Sequence, residues 1–376
     1  MVLTRQANMC SYGRMRWQGQ ELTTDDPAAL PGLSRLAGLV RSVRTPEFAG
    51  VTFHEVHARS ALNRVPGGSP MPFAWTVNPY RGCSHGCVYC FARQTHTYLE
   101  LDAGRDFDAE IVVKTNVGSV LRKEVSSPRW RREHVAMGTN TDPYQRAEGR
   151  YRLMPEVIDA LAGSGTPFSI LTKGTVLARD LPRLADAATA VPVGIGVSLA
   201  LLDPELQATL EPGTPSPRAR LELVRRIRDA GLPCGVFVAP ILPGLTDAPE
   251  QLGALLRRLA DAGATGVTGI ALHLRPGARE WFFGWLARTR PDLVGRYERL
   301  YARGANLPKD ERTRLTATVR RLAAELGIGA GADGQLAGRG AVRGVPGDRD
   351  ASFPAGSLPE PGGAPAADRD AAPTLF

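Results

Sequence analysis

The middle of the chain alternates between two hydrophobic patterns, and each pattern predicts a different element. Short runs rich in β-branched residues predict buried strands, whereas apolar residues spaced three or four apart predict amphipathic helices. Strands are predicted at residues 73–77, 111–115, 134–138, 168–172, 193–199, 235–239 and 266–272. Helices are predicted between them at residues 117–125, 154–162, 181–188 and 217–230. Strands that alternate with helices pair in parallel through right-handed crossovers, so the sequence predicts an α/β fold.

The two flanks of this region have a different composition. The N-terminal flank is rich in Arg, Pro and Gly, and one helix is predicted there, over residues 30–43, from the spacing of Leu33, Leu36, Val40 and Val43. Beyond residue 326 the chain is dominated by Gly, Ala, Pro, Asp and Arg, a composition that is too poor in apolar residues to form a core. We expect an N-terminal extension (1–70), a core (71–275), C-terminal helices packed on the core (276–326) and a disordered tail (327–376).

Three of the five cysteines lie within eight residues, in the stretch 78–93, Asn-Pro-Tyr-Arg-Gly-Cys-Ser-His-Gly-Cys-Val-Tyr-Cys-Phe-Ala-Arg. Cys83, Cys87 and Cys90 together can hold one metal centre, because thiolates are the preferred ligands of iron–sulfur clusters and zinc. Three protein sulfurs do not complete a centre that takes four ligands. The remaining position is open, as in catalytic rather than structural metal sites.

Two simpler interpretations remain open at this point. The three cysteines are spaced so that one helix would carry them on one face as buried thiols, although Gly82, Gly86 and Pro79 disfavour a continuous helix. Alternatively, they form a zinc site that His85 or a distant residue completes. No second Cys-x-x-Cys or His pair follows at zinc-finger spacing.

Composition and charge narrow the classes of protein. The chain has 376 residues, 43% of them hydrophobic, which is ordinary for a globular protein, and no apolar run reaches the roughly 18 residues that span a membrane. The first ten residues lack the pattern of a signal peptide, so we expect a cytoplasmic protein whose cysteines are reduced. No membrane association is predicted.

The net charge of +8 and the pI of about 9.5 favour a nucleic-acid partner. Only four of the 46 basic residues are lysines, however. This preference for arginine over lysine is a feature of the composition, so part of the positive charge needs no functional explanation. Arg129, Arg131 and Arg132 surround Trp130 and form a candidate contact to phosphates and a base. Arginines on a solvated helix face are the alternative.

Polar residues follow three of the predicted strands. Asp142 follows the third strand, Lys173 ends the fourth and Ser198 ends the fifth. In a parallel barrel, function gathers at the carboxyl ends of the strands, so these residues are candidates for binding a cofactor. Asp142 has a second interpretation as the N-cap of the following helix. For Lys173 and Ser198 the alternatives are a surface lysine and a helix-capping serine.

The Cys-x3-Cys-x2-Cys spacing, with Tyr89 before the last cysteine, resembles the signature of radical S-adenosylmethionine (SAM) enzymes. The resemblance implies a [4Fe–4S] cluster on Cys83, Cys87 and Cys90, with SAM on the fourth iron. It also implies a partial (β/α)6 barrel of the TIM type, and an external one-electron reductant such as a flavodoxin or ferredoxin.

Residues 73–275 further resemble the spore photoproduct lyase branch and its "DNA repair photolyase-like" relatives. The best matching segments are the cysteine motif, residues 141–145, 171–173, 179–180 and 211–215, and Ser198. The resemblance implies that Tyr89, Lys173 and Ser198 contact SAM, with the Lys173 ammonium beside its carboxylate and the Ser198 hydroxyl beside its ribose. Asp142 joins them as a cofactor-binding candidate.

One departure from the lyase pattern bears on the substrate. The lyase has a hydrogen-donating cysteine after its third strand, where this chain has Thr139-Asn140-Thr141. Cys234 begins a different strand and is not a direct substitute. The resemblance therefore implies radical initiation but does not fix the substrate.

Three hypotheses for the function follow. The first is a radical SAM enzyme that forms a 5′-deoxyadenosyl radical and abstracts hydrogen from nucleic acid, as in DNA repair. The second is the same chemistry on a small molecule or a protein. The third is a non-catalytic zinc or iron–sulfur protein that docks on a partner through Leu375 and Phe376, which end the tail. The substrate, the hydrogen donor and the oligomeric state do not follow from the sequence.

Overall fold

The computed structural model describes residues 20–22, 38–66, 71–329 and 352–359 of the chain. Its strands, in chain order, are β1 (Gln20–Leu22), β2 (Leu39–Arg44), β3 (Thr52–Val56), β4 (Leu62–Arg64), β5 (Trp75–Val77), β6 (Tyr80–Arg81), β7 (Glu110–Lys114), β8 (Val135–Met137), β9 (Phe168–Thr172), β10 (Val193–Ser198), β11 (Gly235–Ile241) and β12 (Gly266–Ala271). Its α-helices are α1 (Arg105–Ala109), α2 (Val117–Val125), α3 (Arg146–Tyr151), α4 (Met154–Gly163), α5 (Leu181–Ala190), α6 (Pro204–Leu210), α7 (Pro217–Asp229), α8 (Pro249–Asp261), α9 (Ala278–Thr289), α10 (Val294–Leu300) and α11 (Lys309–Glu325).

Six parallel strands form the main sheet, in the order β12-β11-β10-β9-β8-β5, and β4 adds an antiparallel edge beside β5. Helices connect successive strands from β8 onward, as right-handed crossovers require. No strand among the described residues joins β4 to β12, so the barrel is open. This arrangement confirms the predicted partial (β/α)6 barrel and its α/β class.

Alternate residues of the strands face the helices and form the core. On β9 and β10, Phe168, Ile170 and Ile195 are fully buried and belong to one hydrophobic cluster that also contains Val157 and Leu161 of α4. Because side chains alternate across a strand, the residues between them point into the barrel. On β9 the inward residues are Ser169, Leu171 and, just beyond the strand, Lys173.

The predicted strand at 111–115 exists as β7, but its placement in the barrel was wrong. It pairs with β3 in parallel and with β6 in antiparallel fashion, inside a second sheet of order β1-β2-β3-β7-β6. β3 is buried along its whole length, and its five residues pair in register with the five residues of β7. Periodicity identifies a strand but not its partner, so 134–138 becomes the second strand of the barrel rather than the third.

The helix predicted over 30–43 was also wrong within its described part. Residues 39–44 form β2, which pairs with β3 in antiparallel fashion, with Ser42 opposite His54. The hydroxyl of Ser42 lies 2.7 Å from Nδ1 of His54, and Nε2 of His54 lies 2.7 Å from the Glu110 carboxylate on β7. Cross-strand pairs of this kind stabilise a sheet, and they override a weak helical period.

Residues 352–359 lie within the stretch that was predicted as a tail, yet they pack against the amino ends of the barrel strands. The Phe353 ring lies over His134, with 4.1 Å between the ring centroids, and Ser357 is fully buried. A methyl group on Gly235 or Gly266 would stand 2.5 Å or 2.2 Å from the Ala355 carbonyl oxygen. The glycines therefore make room for this segment. Leu375 and Phe376 lie outside the described residues.

The helices after β12 close one side of the barrel. A methyl group on Gly269 of β12 would stand 3.0 Å from Val319 of α11, so this helix packs closely on the edge strand. The rings of Phe282 and Tyr297 pack together 5.3 Å apart and join α9 to α10. No helix among the described residues is long and apolar enough to cross a membrane.

Candidate functional site

The three cysteines lie in the loop of residues 82–90, here called the cysteine loop, which follows β6. Cys83 and Cys87 are buried and Cys90 is partly buried. Gly82 and Gly86 have positive φ angles of 84° and 63°, in the left-handed region that favours glycine. Turns rather than a helix therefore bring the thiols together. This geometry excludes the interpretation of three thiols on one face of a helix.

The thiols influence one another electrostatically. Burial raises the pKa of Cys83 well above its usual value, and the Asp142 carboxylate and the sulfurs of Cys87 and Cys90 raise it further. Burial also raises the pKa values of Cys87 and Cys90. The three groups therefore hold protons at neutral pH unless a cationic centre replaces those protons, which is how metal binding and thiol ionisation are linked.

The chemistry of the donors bears on the kind of metal centre. Cys83, Cys87 and Cys90 supply three thiol donors, and thiolates are the usual ligands of iron–sulfur clusters. Nδ1 of His85, the candidate fourth zinc ligand, lies 3.3 Å from the Asp142 carboxylate. The donor set therefore fits a multi-iron cluster better than zinc.

Arg93 holds the cysteine loop from the side of α1. It is fully buried and donates to the Cys87 carbonyl oxygen at 2.9 Å, to the Gly104 carbonyl oxygen at 2.7 Å and to both Asp108 oxygens at 2.9 Å. Its guanidinium also lies 5.1 Å from the Trp281 ring centroid. Such a set of charge-assisted bonds fixes the backbone at Cys87. Arg93 was not among the site residues predicted from the sequence.

The segment after β8 holds the opposite side of the loop. Oε1 of Gln145 accepts from the Ser84 backbone N–H at 2.8 Å, and its amide nitrogen donates to the Gly82 carbonyl oxygen at 3.1 Å. The Thr141 hydroxyl donates to the same carbonyl oxygen at 2.6 Å. Both side chains are buried. The motif at 141–145 therefore shapes the loop directly.

A third contact comes from the segment after α6. The Val88 N–H donates to the Leu210 carbonyl oxygen at 2.9 Å, and the Gly213 N–H donates to the His85 carbonyl oxygen at 2.9 Å. A methyl group on Gly213 would lie 2.0 Å from the Ser84 carbonyl oxygen. Only glycine permits this approach of two backbones.

Asp142 organises the site through backbone and side-chain hydrogen bonds. Its carboxylate accepts from the Lys173 N–H at 2.7 Å and from the Thr172 hydroxyl at 2.5 Å, and it lies beside His85. Burial alone would raise the pKa of Asp142, but the His85 charge and these hydrogen bonds lower it below its usual value. The helix-capping interpretation was wrong, because α3 has Gln145 as its N-cap and no side-chain cap bond.

The structure brings Lys173 and Ser198 together at the carboxyl ends of neighbouring strands. The Lys173 ammonium donates to the Ser198 hydroxyl at 2.9 Å and lies 6.0 Å from the Tyr89 ring centroid. The next described helix, α6, has Asp203 rather than Ser198 as its N-cap, and the Ser198 hydroxyl donates to the Ala239 carbonyl oxygen at 3.3 Å. Burial lowers the pKa of Lys173, but Cys87 and Glu211 raise it, and the net shift is upward. The lysine is therefore cationic.

A fully buried ion pair that sequence reasoning missed lies beneath these residues. Arg220 of α7 donates to the Glu211 carboxylate at 2.6 Å, and the Tyr89 hydroxyl donates to the other Glu211 oxygen. Neither Arg220 nor Glu211 has any exposed surface. The sequence did carry a signal, since Arg220 shares its helix face with Val224 and Ile227, which are buried. An arginine on an apolar helix face indicates an internal partner.

Two other groups, Glu148 and the Trp130 indole, form hydrogen bonds within the fold. Glu148 is fully buried, where it accepts from the Tyr80 hydroxyl at 2.6 Å and from Arg179 at 2.7 Å. The Trp130 indole donates to the Thr166 hydroxyl at 2.8 Å and packs against Trp75. This tryptophan and its flanking arginines precede β8, so they lie at the opposite end of the barrel from the cysteine loop.

An open α/β barrel with three thiols at the carboxyl ends of its strands defines a class of protein, and the comparisons agree with it. The Radical SAM superfamily model matches residues 77–263. An uncharacterized protein of Mycobacterium tuberculosis is 60% identical over 315 residues, which are 83% of this chain and 92% of that protein. The chain belongs to the radical SAM superfamily. Membership implies SAM and an iron–sulfur cluster as cofactors, together with an external electron donor.

Among solved structures, spore photoproduct lyase complexed with dinucleoside spore photoproduct has a TM-score of 0.55 and 18% identity, covering 73% of this chain and 79% of that chain. A mutant of the lyase with bound AdoMet and the same dinucleoside has a TM-score of 0.55 and 18% identity, with the same coverage of both chains. The shared feature is the fold.

Proposed function

We propose that the chain is a radical SAM enzyme whose [4Fe–4S] cluster is held by Cys83, Cys87 and Cys90. The observation that carries the proposal is the convergence of these thiols with Lys173 and Ser198 at one end of the parallel sheet. When bound, the cluster and SAM supply one-electron chemistry, which in this family yields a 5′-deoxyadenosyl radical that abstracts hydrogen from a substrate.

The residues around the loop then have separate tasks. Lys173 is cationic and lies beside Tyr89, so it is placed to pair with the SAM carboxylate, and the Ser198 hydroxyl is placed to hydrogen-bond a ribose. Asp142 positions neighbouring residues, because both of its carboxylate oxygens are engaged by Thr172, Lys173 and His85. We therefore assign Asp142 a positioning role rather than a cofactor contact. Burial of the site excludes water from the reactive species.

Anaerobic reconstitution with iron and sulfide tests the metal centre. We expect about four irons and four sulfides per chain, and loss of both in Cys90→Ala. Cys234→Ala is the matched control, since Cys234 is buried at the amino end of β11, away from the cysteine loop. One zinc per chain and no sulfide would support the non-catalytic zinc protein instead.

Nucleic acid is the substrate class that we propose for this site. Phe91 and Tyr98, in the turn of 3-10 helix directly after Cys90, are 41% and 80% exposed. The Arg275 guanidinium lies 5.5 Å from the Phe91 ring centroid. Exposed aromatic rings beside an arginine suit the stacking of bases, and the net charge of +8 favours a phosphate backbone. The dinucleoside bound to spore photoproduct lyase adds an analogy of fold.

The lyase route to thymine-dimer reversal is not part of the proposal. Thr141, in the segment where the lyase pattern has its cysteine, donates to the Gly82 carbonyl oxygen. Cys234 lies at the amino end of β11, at the opposite end of the barrel from the cysteine loop.

Binding of single-stranded and duplex DNA at several salt concentrations tests the substrate class. We expect Phe91→Ala/Tyr98→Ala to weaken binding by at least tenfold, because each stacked base contributes roughly 1–3 kcal/mol. The control variant Arg129→Ala/Arg131→Ala/Arg132→Ala changes the basic cluster at the other end of the barrel. A larger loss in the arginine variant, or binding that does not depend on salt, would favour a small-molecule or protein substrate.

A further inference from the structure

A buried cation lies directly behind the cysteine loop. Arg220 donates to the Glu211 carboxylate at 2.6 Å. The segment that carries Glu211 contacts the loop on both sides of this residue, because the Val88 N–H donates to the Leu210 carbonyl oxygen at 2.9 Å and the Gly213 N–H donates to the His85 carbonyl oxygen at 2.9 Å. Arg220 and Glu211 are fully buried, so solvent screens their charges much less than it screens charges at the surface.

The ion pair does not account for the whole environment of Arg220. One terminal nitrogen donates to Glu211 and the other to the Ser198 carbonyl oxygen at 3.0 Å, while Nε has no hydrogen-bond partner among the described residues. Burying a guanidinium with an unpaired N–H is costly, and an apolar residue at such a place is often no less stable than the ion pair. The stability of the fold alone therefore does not explain why a charged arginine is buried at this position.

The contacts of Arg220 also reach two of the cofactor-binding candidates. Glu211, which it holds, accepts from the Tyr89 hydroxyl, and Tyr89 lies between Cys87 and Cys90 in the cysteine loop. The Ser198 carbonyl oxygen, its second acceptor, belongs to the residue whose hydroxyl accepts from Lys173. Arg220 thus joins the strand that carries Ser198 to the loop that carries the thiols.

We propose that Arg220 is a positioning residue whose buried charge also favours the reduced state of the centre held by Cys87. Reduction adds one negative charge, and a nearby buried cation stabilises that state more than the oxidised one. Net charge and hydrogen bonding around the sulfurs are among the properties that set the potential of such centres. This inference rests on the proposed function, because it requires that Cys83, Cys87 and Cys90 hold an iron–sulfur cluster.

The test is the midpoint potential of the reconstituted cluster without SAM, measured by redox titration of its electron paramagnetic resonance signal. We expect Arg220→Gln to lower the reduced-to-oxidised ratio about tenfold at a given potential, which is about 59 mV for a one-electron couple. Arg220→Lys keeps the charge and should stay within about threefold of the wild type. Glu211→Gln should shift the potential upward, because it removes the opposing charge.

A double variant distinguishes an effect of the lost charge on the midpoint potential from an effect of misfolding. Arg220→Gln leaves Glu211 buried without its cation, so Arg220→Gln/Glu211→Gln is measured against Glu211→Gln alone, with circular dichroism to check the fold. The proposal predicts a downward shift in this comparison as well. It is overturned if the double variant matches Glu211→Gln, or if Arg220→Lys shifts the potential as much as Arg220→Gln. A wild-type protein that binds no cluster would instead refute the proposed function.

Discussion

The two ends of the barrel are built from the same strands in opposite ways. At the carboxyl ends, inward side chains such as Lys173 and Ser198 bond to one another beside the thiols. At the amino ends, the inward positions of β10, β11 and β12 are glycines, including Gly235 and Gly266, and the 352–359 segment fills the space that they leave. Polar side chains thus mark the end that carries the thiols, whereas missing side chains mark the end that the chain itself closes.

Glycine substitutions at the two ends should separate these roles with the largest effect. We expect Gly213→Ala to abolish most cluster binding, because its methyl group would overlap the Ser84 carbonyl oxygen and displace the cysteine loop. Gly266→Ala clashes as severely with the Ala355 carbonyl oxygen, but it should displace only the 352–359 segment and leave iron binding intact. Iron and sulfide analysis after reconstitution checks both variants. Equal iron contents in the two would remove the distinction between the ends.

Lys173→Met should produce the next largest effect. Losing a charge-assisted bond of roughly 1.5–3 kcal/mol should weaken SAM binding to the reconstituted protein by at least tenfold, while the iron content stays unchanged. Ser198→Ala removes a neutral hydroxyl, so its effect should be smaller, roughly 0.5–1.5 kcal/mol. Equilibrium binding of SAM gives both values. A Lys173→Met protein with wild-type affinity would contradict the role assigned to this lysine.

The smallest predicted effect lies at the amino end and depends on pH. Burial lowers the pKa of His134 from 6.5 to about 4. Below pH 6.5 this histidine is protonated in the unfolded chain, whereas in the folded chain it stays neutral down to about pH 4. The free energy of unfolding therefore falls as the pH decreases from 6.5 to about 4. After allowance for partial solvent access, we expect a loss on the order of 1 kcal/mol.

The matched variant for this pH effect is His134→Gln, which keeps a donor for the Ser169 hydroxyl, 2.9 Å from Nε2 of His134, but does not titrate. Urea unfolding at pH 7 and pH 4.5 should show the wild type losing more stability than the variant. Parallel losses in the two proteins would show that His134 does not carry the effect.

Sequence periodicity located most elements of the barrel but could not assign partners. The run at 168–172 matches β9, and the run at 111–115 matches β7 within one residue, yet β7 belongs to the other sheet. Both runs are short and apolar, so nothing within them tells which neighbour they pair with. Pairing depends on distant strands such as β3, which lies in a region with little recognisable period.

The parts of the site that lie close together in the sequence were predictable, but the contacts between distant segments were not. The spacing of the cysteines is local, and the ends of β9 and β10 brought Lys173 and Ser198 to the same place. The Arg220–Glu211 pair and the Arg93 contacts join separate segments, and they became evident only from burial. The glycines of β10, β11 and β12 indicate that another segment packs closely against these strands. The composition of residues 352–359, however, is that of a disordered tail.

The most direct test of the central claim is anaerobic incubation of reconstituted protein with SAM and dithionite, followed by quantification of 5′-deoxyadenosine. We expect the wild type and Cys234→Ala to form 5′-deoxyadenosine together with methionine, and Cys83→Ala, Cys87→Ala and Cys90→Ala to form none. Equal amounts of 5′-deoxyadenosine from the wild type and the three cysteine-loop variants, or none from a wild type carrying a full cluster, would contradict the account.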